Sequence, residues 1–230
     1  MMSSMVGSLT HKESGRGKRR VFLVDDHAVV REGLKELINQ ASDLVICGEA
    51  ASAEEALQKL SAAKPEVAIV DLVLEEMSGL ELLKTLKTQH PALPVLVLSM
   101  HDETYYAERC LRAGARGYIM KKEAIEQVEN ALRTILDGKV YLSKAMADQF
   151  LLSVTQGDAT RAASPVSRLT DRELEVFECI GQGLGASEIA KKLRLSVKTI
   201  ESYQAKLKEK LHVKDSSQLF QHALHWVEHR

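Results

Sequence analysis

Polar side chains stand at the ends of four strongly apolar segments of the chain. Asp25 and Asp26 end VFLVDD, Asp71 lies near the end of VAIVDL, Ser99 ends VLVLS and Lys121 ends GYIMK. Three crowded carboxylates repel one another unless a cation joins them, and hard oxygen ligands suit Mg²⁺. An aspartate beside Mg²⁺, a hydroxyl and a lysine can act as a nucleophile toward a phosphoryl group. The set indicates phosphoryl chemistry, provided that the fold brings these groups together.

A regular alternation of strands and helices would do so. The β-branched runs lie at 21–25, 44–50, 67–72, 95–99 and 117–121. The segments with helical spacing lie at 27–39, 53–62, 79–88, 103–113 and 123–136. Right-handed crossovers then predict an α/β fold, a five-stranded doubly wound parallel sheet with helices on both faces. For this sheet we expect the flavodoxin-like order 2-1-3-4-5. Ligands bind at the carboxyl edge of such sheets, where the polar side chains would meet.

Each of these residues alone has an ordinary structural explanation. Asp26 could be the N-cap of the helix 27–39. Ser99 could be a turn residue, and Lys121 could be a surface charge at a strand end. Because all of them fall on one edge of the predicted sheet, we favour a functional site over three separate coincidences.

The motifs together resemble the receiver domain of two-component response regulators, over roughly residues 19–138. They are DD at 25–26, D at 71 with Gly79 eight residues later, S at 99 and GYIMK at 117–121. The resemblance implies that Asp71 accepts a phosphoryl group from a sensor histidine kinase. The family usually has Met-Pro after the acceptor, whereas this chain has Leu74 and Glu75.

The resemblance also implies a Mg²⁺ site. Asp26 and Asp71 would bind the metal directly, Asp25 would bind it through water, and the main-chain carbonyl of Val73 would complete the protein ligands. The residues implied to stabilise the phosphoryl group or to switch with it are Ser99, Lys121 and Tyr118. Tyr118 could also be an ordinary half-buried aromatic residue. On phosphorylation we expect it to turn inward.

A second, all-helical domain follows the receiver-like region. We predict a disordered leader at 1–19, a receiver domain at 20–138, a linker with a short helix at 139–164 and a helical domain at 165–230. The helical domain carries a strongly basic segment: residues 191–214 contain eight Lys or Arg and two Glu, although the whole chain has a net charge of −1. This asymmetry indicates an anionic partner. A solvated face of a helical bundle is the alternative.

The helical segments LTDRELEVFECIGQG, EIAKKL and SVKTIESYQAKLKEKL resemble the LuxR-type helix-turn-helix of the NarL/FixJ response regulators. The resemblance implies that a helix at about 197–211, capped by Ser196, enters the major groove of double-stranded promoter DNA. Glu201 stands where many relatives carry lysine, which predicts a different operator. The residues expected to contact DNA are Lys198, Thr199, Glu201, Ser202, Ala205 and Lys206.

We therefore predict a phosphorylation-controlled DNA-binding transcriptional regulator of a two-component system. It would not be a turnover enzyme, although it would slowly lose its own phosphate. A homodimer is expected when the protein is phosphorylated or bound to DNA. The C-terminal helix, with Leu219, Ala223, Trp226 and Val227, is a candidate dimer contact, with packing inside its own domain as the alternative.

The location is predicted to be cytoplasmic, with no membrane partner. The N-terminal residues have no apolar stretch of signal-peptide length, and no run approaches the roughly 20 apolar residues of a spanning helix. The three scattered cysteines are typical of reduced thiols.

Two other functions compete with this interpretation. A Mg²⁺-dependent phosphotransferase or phosphatase of the haloacid-dehalogenase kind also uses an aspartate at a strand end. That family has a second aspartate two residues later, where this chain has Val73. The other competitor is an interaction protein whose receiver is never phosphorylated, but the complete set of three aspartates and Lys121 argues against it.

Overall fold

The computed structural model describes residues 17–74, 77–148, 151 and 165–228, apart from the side chain of Ser167. Five strands alternate with five helices in the first part of the described chain. The strands are β1 (Arg19–Val24), β2 (Leu44–Ala50), β3 (Val67–Asp71), β4 (Val95–Ser99) and β5 (Gly117–Met120). The helices are α1 (Ala28–Gln40), α2 (Ala53–Ala63), α3 (Gly79–Gln89), α4 (Glu103–Ala113) and α5 (Ala124–Leu136). Every element lies within two residues of its predicted bounds.

The five strands form one parallel sheet in the order β2-β1-β3-β4-β5, which confirms the predicted topology. Both faces are covered, as the continuous apolar strands require. Alternate residues of β1 show this: Val21 and Leu23 face the side that holds α1 and α5, whereas Phe22 and Val24 face the side that holds α2, α3 and α4. All four are fully buried.

Four helices make up the second part. They are α6 (Asp171–Gly181), α7 (Ala186–Lys192), α8 (Val197–Lys210) and α9 (Ser216–Glu228). Thr170 begins α6 with a capping box that it shares with Glu173. Ser196 caps α8 as predicted, because its hydroxyl accepts a hydrogen bond from the backbone N–H of Thr199. The short loop between α7 and α8 gives a helix-turn-helix arrangement.

Several predicted segments fall partly or wholly outside the described residues. Residues 1–16 of the predicted leader, Glu75, and residues 152–164 of the predicted linker are among them. In the described part of that linker, residues 144–148 are helical. The predicted boundaries of leader and linker stay predictions. Among the described residues, no helix is both long enough and apolar enough to cross a membrane.

The helical domain packs against the receiver-like domain on the side of α3 and α4. The indole of Trp226 in α9 lies 4.6 Å from the ring of Tyr105 in α4. The guanidinium of Arg109 in α4 donates to the carbonyl of Leu169 at 2.8 Å and to Asp171 at 3.2 Å. Helix α6 is buried at this contact together with four of its charged residues, which are Arg172, Glu173, Glu175 and Glu178.

Candidate functional site

The strand register brings the acidic residues to one edge of the sheet. Val24 of β1 pairs with Val70 of β3, so that the residues that follow, Asp25 and Asp71, stand side by side. Ligand atoms of Asp25, Asp26, Asp71 and His27 all lie within 4.8 Å of one another. The topology therefore assembles the three carboxylates predicted from sequence. We call these residues, with Lys121, the acidic pocket.

Asp26 is not the N-cap of α1. His27 occupies the cap position and makes no side-chain cap hydrogen bond. The Asp26 side chain is 4% exposed and points into the acidic pocket instead. The structural explanation considered for this residue is therefore wrong, and the carboxylate needs another reason for its burial.

Lys121 connects two of the carboxylates. Its ammonium nitrogen lies 2.7 Å from Asp25 Oδ2 and 2.7 Å from Asp71 Oδ2. Burial raises the pKa of Asp71 to about 6 from an ordinary 3.8, a change that Lys121 opposes and Asp25 reinforces. Burial acts to lower the pKa of Lys121, but Asp71 and Asp25 outweigh it and the net shift is upward. One ammonium thus serves several carboxylates, and negative charge is left in excess.

The pocket fits a divalent cation with oxygen ligands. Asp26 Oδ1 is buried and has no hydrogen bond among the described residues, because His27 Nδ1, 2.6 Å away, lies outside hydrogen-bond geometry. A buried carboxylate oxygen without a donor is costly unless a cation approaches it. Carboxylate oxygens that keep open positions for water are the ligands typical of Mg²⁺.

Local backbone turns hold the carboxylates in place. The N–H of His27 donates to Asp25 Oδ1 at 2.8 Å, and Arg31 donates to the Asp25 carbonyl at 2.7 Å. The N–H of Val73 donates to Asp71 Oδ1 at 3.2 Å. Val73 therefore lies next to the acidic pocket, while the use of its carbonyl as a ligand stays a prediction.

Ser99 and Tyr118 both contact the segment that follows β4. The Ser99 hydroxyl oxygen accepts a hydrogen bond from the N–H of His101 at 3.1 Å. The Tyr118 hydroxyl donates to the carbonyl of His101 at 2.8 Å. Tyr118 is 1% exposed, so it is not the half-buried aromatic residue considered as the alternative. Its ring already lies inside the domain in this structure, so no inward turn is left for phosphorylation to produce from this conformation. Two predicted switch residues thus converge on one histidine.

Sequence reasoning did not identify His101, although it joins the two domains. Its ring nitrogen Nδ1 lies 3.0 Å from Glu178 Oε2 of α6, and its ring stacks on Tyr106 at 4.4 Å. The hydroxyl of Tyr106 reaches the same Glu178 oxygen at 3.4 Å. Burial, reinforced by Glu175 and Glu178, raises the pKa of Tyr106 well above its usual value, so that the hydroxyl stays protonated. No motif marks these residues, since they are 72 and 77 positions from Glu178.

A second unpredicted contact enters the acidic pocket from the helical domain. Arg194 lies in the turn between α7 and α8, and its Nη1 is 2.8 Å from Asp26 Oδ2. No local pattern indicates this ion pair, because the two residues are 168 positions apart. From the sequence alone, an arginine in this basic segment would be expected to contact an anionic partner.

The candidate nucleic-acid face lies on α8. Ile200, Leu207 and Leu211 are buried beneath it. Thr199 is half-buried, and its hydroxyl lies 2.8 Å from that of Ser196. Five of the six predicted contact residues are exposed: Lys198, Glu201, Ser202, Ala205 and Lys206. The helix thus presents charged and small side chains on a face that a duplex groove can accommodate.

The C-terminal helix uses its apolar residues within the chain. Leu219 and Ala223 are buried, and Trp226 contacts Phe177 of α6 at 5.7 Å as well as the receiver-like domain. A Cβ on Gly181 would lie 2.6 Å from Val227 Cγ2, so this residue also packs against α6. Leu219, Ala223 and Val227 therefore agree with packing inside their own domain, whereas Trp226 packs both there and against the receiver-like domain.

Comparison with known proteins finds both domains. Residues 21–133 match the response regulator receiver domain, and residues 167–223 match the bacterial regulatory proteins of the luxR family. The oxygen regulatory protein NreC of Staphylococcus aureus (strain MRSA252) is 35% identical over 210 residues, which cover 89% of this chain and 96% of that protein.

Similar solved structures include two of RcsB. The Salmonella typhimurium RcsB response regulator has a TM-score of 0.63 and 25% identity, over 90% of this chain and 98% of that one. RcsB from Salmonella enterica serovar Typhimurium, bound to promoter rprA in the presence of phosphomimetic BeF3-, has a TM-score of 0.58 and 25% identity, over 89% and 98%. The chain belongs to the two-component response regulators of the NarL/FixJ subfamily, DNA-binding regulators whose receiver domain controls a LuxR-type helix-turn-helix domain through phosphorylation.

Proposed function

We propose that Asp71 is the phosphoryl acceptor of this regulator. The observation that carries the proposal is the convergence of three carboxylates at the carboxyl edge of the sheet, two of which contact the ammonium of Lys121. Asp71 is the central carboxylate, since it contacts Lys121 and follows the middle strand of the sheet. In the reaction, a bond forms between an Asp71 oxygen and phosphorus while the bond from phosphorus to the histidine of a sensor kinase breaks.

The other pocket residues assist by charge and hydrogen bonding. Lys121 moves its ammonium from carboxylate to phosphoryl oxygens, and the Ser99 hydroxyl donates a hydrogen bond to one of them. Asp26, Asp71, the carbonyl of Val73 and, through water, Asp25 would hold Mg²⁺. When bound, the metal supplies positive charge that offsets the excess negative charge of the pocket.

Intact-mass measurement after incubation with acetyl phosphate and Mg²⁺ tests the assignment. One added phosphoryl group is expected in the wild type and none in Asp71→Ala. Asp137→Ala is the matched control, because this exposed aspartate follows α5, away from the strand ends that carry the pocket. Full labelling of Asp71→Ala would place the acceptor elsewhere.

The output is promoter binding by α8, inserted in the major groove of the duplex. Lys198 and Lys206 would contact phosphates or bases, while Thr199, Glu201, Ser202 and Ala205 would lie close to the groove. Lys210 has a structural role instead, because its ammonium lies 2.7 Å from Glu173 Oε2 of α6. Phosphate contacts position a protein on DNA, whereas base contacts give it specificity.

The active form on DNA would be a homodimer in the cytoplasm, because paired recognition helices match a two-fold operator. Slow loss of phosphate from Asp71 would return the protein to its resting state. Light scattering with and without beryllofluoride measures dimer formation. The decay of the labelled mass with time measures the loss of phosphate.

A further inference from the structure

An arginine of the DNA-binding domain occupies a position where the acidic pocket needs positive charge. Arg194 Nη1 lies 2.8 Å from Asp26 Oδ2, and the Asp26 side chain is 4% exposed. The Arg194 backbone has a φ of 53°, in the left-handed region, within the turn of the helix-turn-helix. Its neighbours fix that turn: Leu193 is buried, and the N–H of Leu195 donates to the carbonyl of Ala190 at 2.9 Å. The loop thus holds the guanidinium toward the receiver domain.

The two cations of the pocket serve different carboxylates. Lys121 contacts Asp25 and Asp71. Within the described chain, Lys121 makes no contact with Asp26. The guanidinium of Arg194 pairs with Asp26 instead. Asp26 thus has the imidazole of His27, from its own domain, 2.6 Å from Oδ1, and the guanidinium of Arg194, from the other domain, 2.8 Å from Oδ2.

We propose that Arg194 competes with Mg²⁺ for Asp26, so that docking of the DNA-binding domain and metal loading of the phosphorylation site oppose each other. The inference rests on the proposed role of Asp26 as a metal ligand. The Asp26 oxygen that lacks a hydrogen bond is Oδ1, whereas Arg194 contacts Oδ2. A metal ion at the roughly 2.1 Å typical of Mg²⁺ from Oδ1 would therefore share the carboxylate with the guanidinium and repel it. Arg194 is thus a regulatory residue of the phosphorylation site, although it belongs to the helix-turn-helix.

The competition has consequences in both directions. Coupling between two binding events is reciprocal, so a metal that displaces Arg194 also weakens docking. A duplex that binds the released domain should in turn raise the affinity of the receiver for Mg²⁺. Docking is also supported by the contacts of Trp226 and Arg109, so that removal of Arg194 alone should shift the balance without separating the domains completely.

Magnesium titrations of the metal-free full-length protein, followed by amide NMR shifts, measure the competition. Arg194→Ala should bind Mg²⁺ about two- to fivefold more tightly than the wild type, the range expected for a partly exposed ion pair. Lys214→Ala is the matched control: this exposed lysine precedes α9, and its loss removes the same charge from the same domain. Its affinity should equal that of the wild type.

The outcomes separate this inference from the proposed function. Equal affinity of Arg194→Ala and the wild type, with binding lost in Asp26→Asn, would overturn the competition and leave the metal site in place. Equal tightening by Lys214→Ala would also overturn it, because a general charge effect would then explain the result. Normal Mg²⁺ binding by Asp26→Asn would contradict the proposed metal site itself.

Tryptophan fluorescence gives the second readout, on docking itself. Trp226 is the only tryptophan of the chain and packs between Tyr105 and Phe177. Mg²⁺ should shift its emission to longer wavelength in the wild type, as the ring becomes more exposed to water. The metal-free emission of Arg194→Ala should already be shifted in that direction. Metal binding with no change in wild-type emission would overturn the opposition between docking and loading.

Discussion

The substitution Gly79→Ala tests how closely α3 approaches the strand that carries Asp71. Gly79 is the first residue of α3, and its N–H donates to the carbonyl of Leu72 at 2.9 Å. A Cβ at this position would lie 2.0 Å from the Asp71 carbonyl oxygen and 2.6 Å from Leu72 Cα. Both are backbone atoms, which cannot rotate away as a side chain can. One of the two segments must therefore move by about 1 Å or more to restore normal contact.

The expected loss of stability follows from three contributions. Overpacking costs about 1–3 kcal/mol, and a weakened hydrogen bond to Leu72 costs about 1 kcal/mol. The better helix propensity of alanine returns at most about 1 kcal/mol. We expect a net loss of about 2 kcal/mol in the free energy of unfolding. Because the shift moves the backbone of Asp71 itself, phosphorylation by acetyl phosphate should slow by up to about 10²-fold.

Gly33→Ala is the matched control. Gly33 is exposed within α1, and a Cβ there would meet nothing within 4 Å. The same added methyl group should stabilise this helix by up to about 1 kcal/mol and leave labelling unchanged. Urea unfolding followed by circular dichroism measures the stabilities, and intact mass against time measures labelling. Wild-type stability and labelling rate in Gly79→Ala would refute the close approach.

Three further predictions concern charge. In Mg²⁺-free protein, the raised pKa of Asp71 should contribute about 3 kcal/mol of stability below pH 3.8 that is lost as the pH rises to about 6. Urea unfolding of Asp71→Asn should lack this pH-dependent step. In DNA titrations at several salt concentrations, Lys206→Ala should weaken binding to most sequences and reduce the salt slope by about one. Glu201→Lys should change which operators a binding-site selection recovers, while an unchanged preference would contradict a groove-facing Glu201.

The receiver fold and its acidic edge could be predicted from sequence because they follow from local patterns. Buried strands appear as continuous apolar runs, and the right-handed crossover rule fixes the face of the sheet on which each connecting helix packs. The order 2-1-3-4-5 is one of the two common orders of doubly wound sheets. The register then places Asp25 beside Asp71 without further information. The cap of α1 was less predictable, since a shift of one residue from Asp26 to His27 changes no periodicity.

The contact between the domains could not be predicted, because its charged residues look like the solvated face of a helix. Arg172 and Glu175 of α6 are nearly fully buried and form an ion pair at 2.8 Å, while Arg172 also donates to the carbonyl of Leu74 at 3.3 Å. In the sequence these residues indicate an exposed surface, since burial of such charges needs partners. The partner atom of the receiver is 98 positions away, beyond any local pattern.

The buried charges of α6 also bear on how readily the two domains can separate. A buried ion pair gains little net stability, because the cost of removing two charges from water offsets their attraction. Burial raises the pKa of Glu175, which shows that its environment disfavours the charged form even though Arg172 opposes the shift. The Arg172–Glu175 pair, which lies within α6, therefore adds little stability of its own to the docked state. If Asp71 is the acceptor, as proposed, its phosphorylation needs to supply only the free-energy difference between docked and released states. His101, whose backbone is bonded to Ser99 and Tyr118 and whose ring contacts Glu178, is one connection from the end of β4 to α6.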